Sequence, residues 1–116
     1  MTRAQVAEGG SADQKPANAV RGEAGFVVAG RERVLRPTFA ALVAAEQELG
    51  SLYALVERAS EGQLRLAELA ALFWHCLAER EGVDREAVGE AVMAAGLTGC
   101  AGPLRCLLGQ ILQGVR

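Results

Sequence analysis

The spacing of apolar residues changes several times along this chain, and each change predicts an element. From Gly22, the β-branched runs around Phe26-Val27-Val28 and Val34-Leu35 are split by Gly30-Arg31, which reads as a β-hairpin. A two-residue loop with glycine first suits a type II′ turn, which sets Phe26 opposite Leu35 on one face and Val27 opposite Val34 on the other. Pro37 ends this extended run because it lacks an N–H, and Thr38 stands where a helix cap is needed. Phe39, Leu42, Val43 and Leu49 then share one helical face, Gln47 and Glu48 look outward, and Gly50 supplies a left-handed stop. The rest of the chain is expected to be organised around this central helix.

Three or four further short helices follow by the same period. Ser51 caps one over Leu52 to Ala59, with Leu52, Leu55 and Val56 inward. A helix from Leu66 to Glu81 carries the stripe Leu66, Leu69, Ala70, Phe73, Cys76 and Leu77; Leu72 and Trp74 widen it, so it is the most buried. Asp84 caps the next, whose Val88, Ala91, Val92 and Ala95 face in, and Gly96 ends it. Thr98 to Gly102 reads as a loop, and Pro103 as the first turn of a last helix with Leu104, Leu107, Leu108, Ile111, Leu112 and Val115 on its stripe. The predicted class is α+β: an N-terminal two-stranded β-hairpin followed by a compact bundle of four to five short helices.

Composition narrows the picture. At 116 residues the chain holds one domain at most. Residues 1–20 contain no Leu, Ile or aromatic and no periodicity, so they read as a disordered N-terminal arm, with a single domain over 21–116. Hydrophobic residues make up 51% but aromatics only 4%, so the core must come from Ala, Leu and Val, a mixture that favours helix. Twelve basic residues scattered among fourteen acidic ones form no basic stripe, which argues against a nucleic-acid partner. No signal peptide is visible, and no apolar run looks long enough for a bilayer, so no membrane role is expected. Cys76, Cys100 and Cys106, odd in number and in apolar surroundings, fit a reducing compartment.

The polar residues do not assemble a catalytic pattern. His75, Cys76, Cys100 and Cys106 are numerically a zinc set, but adjacent helical positions diverge by about 100° and the cysteines lack the spacing of a knuckle. The only histidine, His75, has no serine elbow to serve, and Glu46 and Glu48 point to different sides of their helix. The reading is therefore no enzyme, no metal and no cofactor. What remains is interaction surface. Two strands leave two edges open to pairing with another chain, with Arg31, Glu32 and Arg33 keeping one soluble, and Trp74 reads as core rather than as a partner anchor.

The order of features resembles a known family. Arg21-Gly22-Glu23 opens a hairpin with Gly30 at its turn, and Leu35-Arg36-Pro37-Thr38, Ala41-Leu42, Glu46, Leu49-Gly50-Ser51-Leu52 and Glu57-Arg58 follow. This is similar to the small tail proteins of gene transfer agents and tailed phages that are encoded beside the major tail protein. The run Thr-Phe-x-Ala-Leu-x-x-x-Glu-x-x-Leu-Gly after the hairpin is its most specific part, and the likeness spans about Val20 to Val115. Members are described as tail tube proteins or as tail assembly chaperones. The resemblance implies a non-enzymatic chaperone in the bacterial cytoplasm that binds tape-measure or tail tube subunits, or else a structural component retained in the particle, with self-association as a further option. The candidate contacts are Phe39, Leu42 and Glu46 on the central helix, or Leu104, Leu108 and Leu112 on the last.

Overall fold

The hairpin turns one residue earlier than its glycine predicts. In the computed structural model, which describes Ala17, Asn18 and residues 23–113, strands β1 (Ala24–Val28) and β2 (Arg31–Leu35) pair antiparallel. The turn residues are Ala29 and Gly30, both at positive φ (54° and 77°), so the turn is of the type I′ kind rather than II′. Phe26 therefore lies opposite Arg33, and Val27 opposite Glu32, which corrects the expected Phe26–Leu35 and Val27–Val34 pairs by two positions. A shift of two keeps every side chain on its predicted face. Ala24, Phe26, Val28 and Leu35 thus still point together into the core.

Four helices follow: α1 (Phe39–Leu49), α2 (Leu52–Ser60), α3 (Leu66–Cys76) and α4 (Arg85–Gln113). The predicted caps form. The Thr38 hydroxyl accepts from the Ala41 N–H at 3.1 Å, Ser51 from Ala54 at 3.2 Å, and the Asp84 carboxylate from Ala87 at 2.8 Å. Gly50, at φ 85°, closes α1 by donating its N–H to the Glu46 carbonyl at 2.9 Å. At the α2–α3 joint, Glu68 accepts from the Arg65 N–H at 3.0 Å and from both Arg58 guanidinium nitrogens at 2.8 Å.

The helix at the centre is α3, not α1. Leu69, Ala71, Leu72, Phe73 and Cys76 are buried on α3, which packs against both α1 and α4, whereas α1 buries only Ala45. The Phe73 ring meets Phe26 edge-on, with centroids 4.9 Å apart, and so seats the hairpin on the helices. The helix stops at Cys76, five residues before the predicted Glu81, because the chain there leaves to pair with β2. Arg36 donates its N–H to the Cys76 carbonyl at 2.6 Å, Ala78 donates to the Val34 carbonyl at 2.9 Å, and Leu77 bridges Leu35. Residues 76–78 thereby cover part of the outer edge of β2.

The run Thr98 to Gly102, expected as a loop, is helical, and Pro103 sits inside α4 rather than at a start. The break is confined to Gly96 (φ 76°, ψ 167°). Beyond it, Cys100 is buried with its thiol 4.0 Å from the Val92 carbonyl, which holds that turn on the core despite its glycines. By length and composition α4 passes as a membrane span, contrary to the sequence expectation. Its Val88, Ala91, Val92, Cys100 and Leu107 are buried where it packs on β1 and α3, the break at Gly96 divides it, and most of its apolar stretch is open. The predicted arm lies outside the described residues except for Ala17 and Asn18, as does Val115.

Candidate functional site

The face that α1 turns outward follows from its phase. Ala45 points at α3, and at about 100° per residue Phe39 and Val43 fall well over 90° away from it. Phe39 is accordingly 85% exposed, in the first turn of the helix, with Val43 one turn on and also exposed. Leu42 and Leu49 take the inner side and pack against the core. The apolar stripe read from the sequence is therefore two stripes, one structural and one open to solvent.

Behind α1, polar side chains lock the helices together. Glu48 accepts from both Arg85 guanidinium nitrogens at 2.8 and 2.6 Å and hydrogen-bonds His75 Nε2 at 2.8 Å, joining α1, α3 and α4. The Arg85 pairing, helped by His75, holds the Glu48 carboxyl at a pKa of about 2. Arg80 and Arg85 both lie over the Trp74 ring, 4.4 and 4.5 Å from its centroid. Trp74 is thus half-buried with two guanidinium groups against its ring. His75 is engaged by Glu48 while its neighbour Cys76 is buried in the core, where burial pushes the thiol pKa up to about 12. The His75 and Cys76 side chains do not converge, and Glu48, Arg85 and His75 tie three helices together.

A second feature lies at the strand edge. Backbone groups alternate direction along a strand. Val34 and Arg36 turn theirs toward residues 76–78, so Arg31, Arg33 and Leu35 turn theirs toward β1. On β1, Glu23, Gly25 and Val27 then point away from the sheet. The Glu23 N–H donates to the Asn18 carbonyl at 3.0 Å, but among the described residues nothing pairs with Gly25 or Val27 on that side. Beside them opens a groove of about 440 Å³, walled on its far side by Ala91, Ala94, Ala95 and Gly99 of α4.

The hairpin packs on α4 and meets α3 through the Phe26–Phe73 pair, apolar side chains are left outside on the helices, and comparison with known families gives the chain a place. The family model described as phage tail tube protein, GTA-gp10, matches residues 21–114. The chain belongs to this family. No curated protein and no solved structure matches it.

The structure sorts the residues expected to meet a partner of this tail protein. Phe39 and Leu112 stand outside, Leu112 at 55% exposure. Leu42 and Leu104 pack on the core, and Leu108 is half-buried beside the fully buried Leu107. Glu46 is occupied within the fold: its carboxylate accepts from the Leu52 N–H at 3.1 Å and so caps the start of α2. The six do not form one surface. The sequence reading missed Met93 and Leu97 on α4, 70% and 68% exposed on either side of the break at Gly96. Tyr53 was also overlooked, although it falls out of phase with Leu52, Leu55 and Val56 and is exposed. In both cases the signal was an apolar residue off the main stripe.

Proposed function

We propose that this tail protein is a non-enzymatic tail assembly chaperone, binding tape-measure or tail tube subunits in the bacterial cytoplasm during tail morphogenesis. The observation that carries the proposal is the exposed Phe39–Val43 pair on α1, which the fold does not need because Ala45 already fills the contact with α3. Covering a large apolar side chain is worth about 1.5–3 kcal/mol, enough for this face to favour an apolar partner helix and still release it. The described sheet is a single hairpin, whereas a subunit that closes a tube through its sheet needs more strands.

The second reading is a structural subunit retained in the particle, and the family's own description as a tail tube protein favours it. Mass spectrometry of purified particles against producing-cell lysate separates the two. A chaperone gives abundant peptides from residues 34–58 in lysate and none in particles; stoichiometric peptides in particles leave the structural reading standing. Phe39→Ser, co-expressed with the tape-measure and tail tube subunits, is expected to keep its fold and lose co-purification of the subunit. Unchanged co-purification would move the contact off α1.

A further inference from the structure

We propose that the segment covering Phe39 and Val43 is an amphipathic helix with a glutamate or aspartate beside its apolar stripe, and that Arg36 and Arg80 receive this carboxylate. The inference rests on α1 being the contact face and adds the chemistry of what it contacts. Next to that face lies a hollow of about 270 Å³, lined by Ala40 and Ala44 of α1 together with Arg36, His75 and Arg80. Ala40 is exposed and, at about 100° per residue, falls about 60° from Val43, with Ala44 one turn on. The apolar face therefore runs without a break into the hollow.

Charge decides the occupant. The ionisable residues lining the hollow are two arginines and a histidine, with no carboxylate; Glu79 and Glu81, beside Arg80 in the chain, do not line it. Arg58 and Arg85 are paired within the fold with Glu68 and Glu48, but Arg80 has no carboxylate partner among the described residues. Its guanidinium rests against the Trp74 ring, 4.4 Å from the centroid, and is held in place before a partner arrives. Arg36 donates its Nε–H to Glu23 at 2.8 Å, and its two terminal nitrogens bond nothing among the described residues. The positive end of the α1 dipole opens on the same hollow through Thr38 and Ala40, with no acidic residue in the first turn to offset it. The carboxylates nearest these groups in the bonding pattern, Glu23 and Glu48, are each engaged within the fold. A basic segment is repelled here, and a phosphate backbone would meet the arginines but leave Phe39 and Val43 uncovered. An apolar helix with an acidic flank satisfies both.

The test titrates the isotope-labelled full chain with alanine-rich helical peptides of about 20 residues that share one leucine stripe and carry Glu, Gln or Lys on both flanks. The Glu peptide is expected to shift the Phe39, Ala40 and Val43 amides and the Arg36 and Arg80 side-chain Nε signals. Its Kd should lie roughly 2- to 10-fold below that of the Gln peptide, with the Lys peptide weakest. Salt at about 0.5 M should remove the difference. Arg80→Gln should narrow the margin between the Glu and Gln peptides, and Arg80→Glu should reverse the order, both with the far-UV circular dichroism unchanged. Equal binding of all the peptides at Phe39 and Val43, or a margin that Arg80→Gln leaves untouched, overturns the acidic partner and leaves α1 as the contact face. Shifts confined to Arg36 and Arg80, or none with any peptide up to about 1 mM, overturn it too, and the Phe39→Ser co-purification then judges the chaperone reading on its own. Should an Arg80 variant unfold, the ranking of the peptides on the unmodified chain decides.

Discussion

A ring pair joins the hairpin to α3, beside its packing on α4 and its backbone bonds to residues 76–78, and a double-mutant cycle on Phe26 and Phe73 measures that one joint. Phe73 is fully buried and Phe26 nearly so, with their rings edge-on at 72°. Replacing either by Leu keeps most of the apolar volume, so each single variant is expected to lose about 1–1.5 kcal/mol. Removing both forfeits the ring–ring term only once, so the double variant should be less destabilised than the sum of the singles by about 0.5–1.5 kcal/mol. Against a total stability of about 5–10 kcal/mol for a domain of this size, every member of the cycle stays folded and measurable. Urea unfolding followed by far-UV circular dichroism, with an unchanged m value as the check on two-state behaviour, provides the four free energies. The double-mutant loss matching the sum of the singles to within about 0.3 kcal/mol would show that the rings do not touch, and would refute the account of how the hairpin is seated.

Three further outcomes follow from the same structure. Glu48, through Arg85 and then His75, and Glu68, through Arg58 and then the Arg65 N–H, are both held at a pKa of about 2 against an ordinary 4.5. A lowered carboxylate stabilises the fold above its unfolded pKa, so the urea midpoint should be level above pH 4.5 and fall as the pH drops toward 2, with Glu68→Gln flattening that fall. Gly96 has a φ of 76° and a ψ of 167°, a region open almost only to glycine, and nothing lies within 4 Å of an added Cβ. Gly96→Ala should therefore cost about 1–3 kcal/mol in urea unfolding from backbone strain alone, and a neutral result would mean that the break in α4 is not fixed. Thiol labelling of the native protein should modify the half-buried Cys106 first, and Cys76 only on unfolding, since burial raises the Cys76 pKa to about 12; fast labelling of Cys76 would contradict its place in the core.

How much of this could be read from the sequence depends on how local the cause is. Thr38, Ser51 and Asp84 were legible as caps because a cap is settled within three residues, and Gly50 and Gly96 as stops because positive φ is a single-residue property. The hairpin was legible, but not its register, because Ala29 also takes a positive φ and moves the turn by one residue. Nothing near Cys76 marks the end of α3; the cause is β2, about forty residues earlier in the chain, which draws Leu77 and Ala78 into extended pairing. The glycines between Gly96 and Pro103 read as loop because the tertiary contact that holds the helix there, Cys100 against α4's first half, leaves no local sign.

Of the exposed apolar residues, Phe39 and Leu112 were named from the sequence as candidate contacts, while Val43, Tyr53, Met93 and Leu97 were not, for a different reason. An apolar stripe predicts a buried face only while the core has room for it. With three Phe, one Tyr and one Trp in the chain, a core short of large side chains would be expected to take them all, yet Phe39 and Tyr53, two of these five, stand in solvent. Phase decides which: on α1 the buried Ala45, with Leu42 and Leu49, takes the inner side and leaves Phe39 outside, and on α2 Leu52, Leu55 and Val56 do the same to Tyr53. Phe26, Phe73, Leu35, Leu55, Leu72 and Leu107 fill the core, while Phe39, Tyr53, Met93 and Leu97 are left outside it. On the reading proposed above, another tail protein covers Phe39 and Val43 during assembly, and the loss of co-purification expected of Phe39→Ser is the outcome that ties this exposed pair to that role.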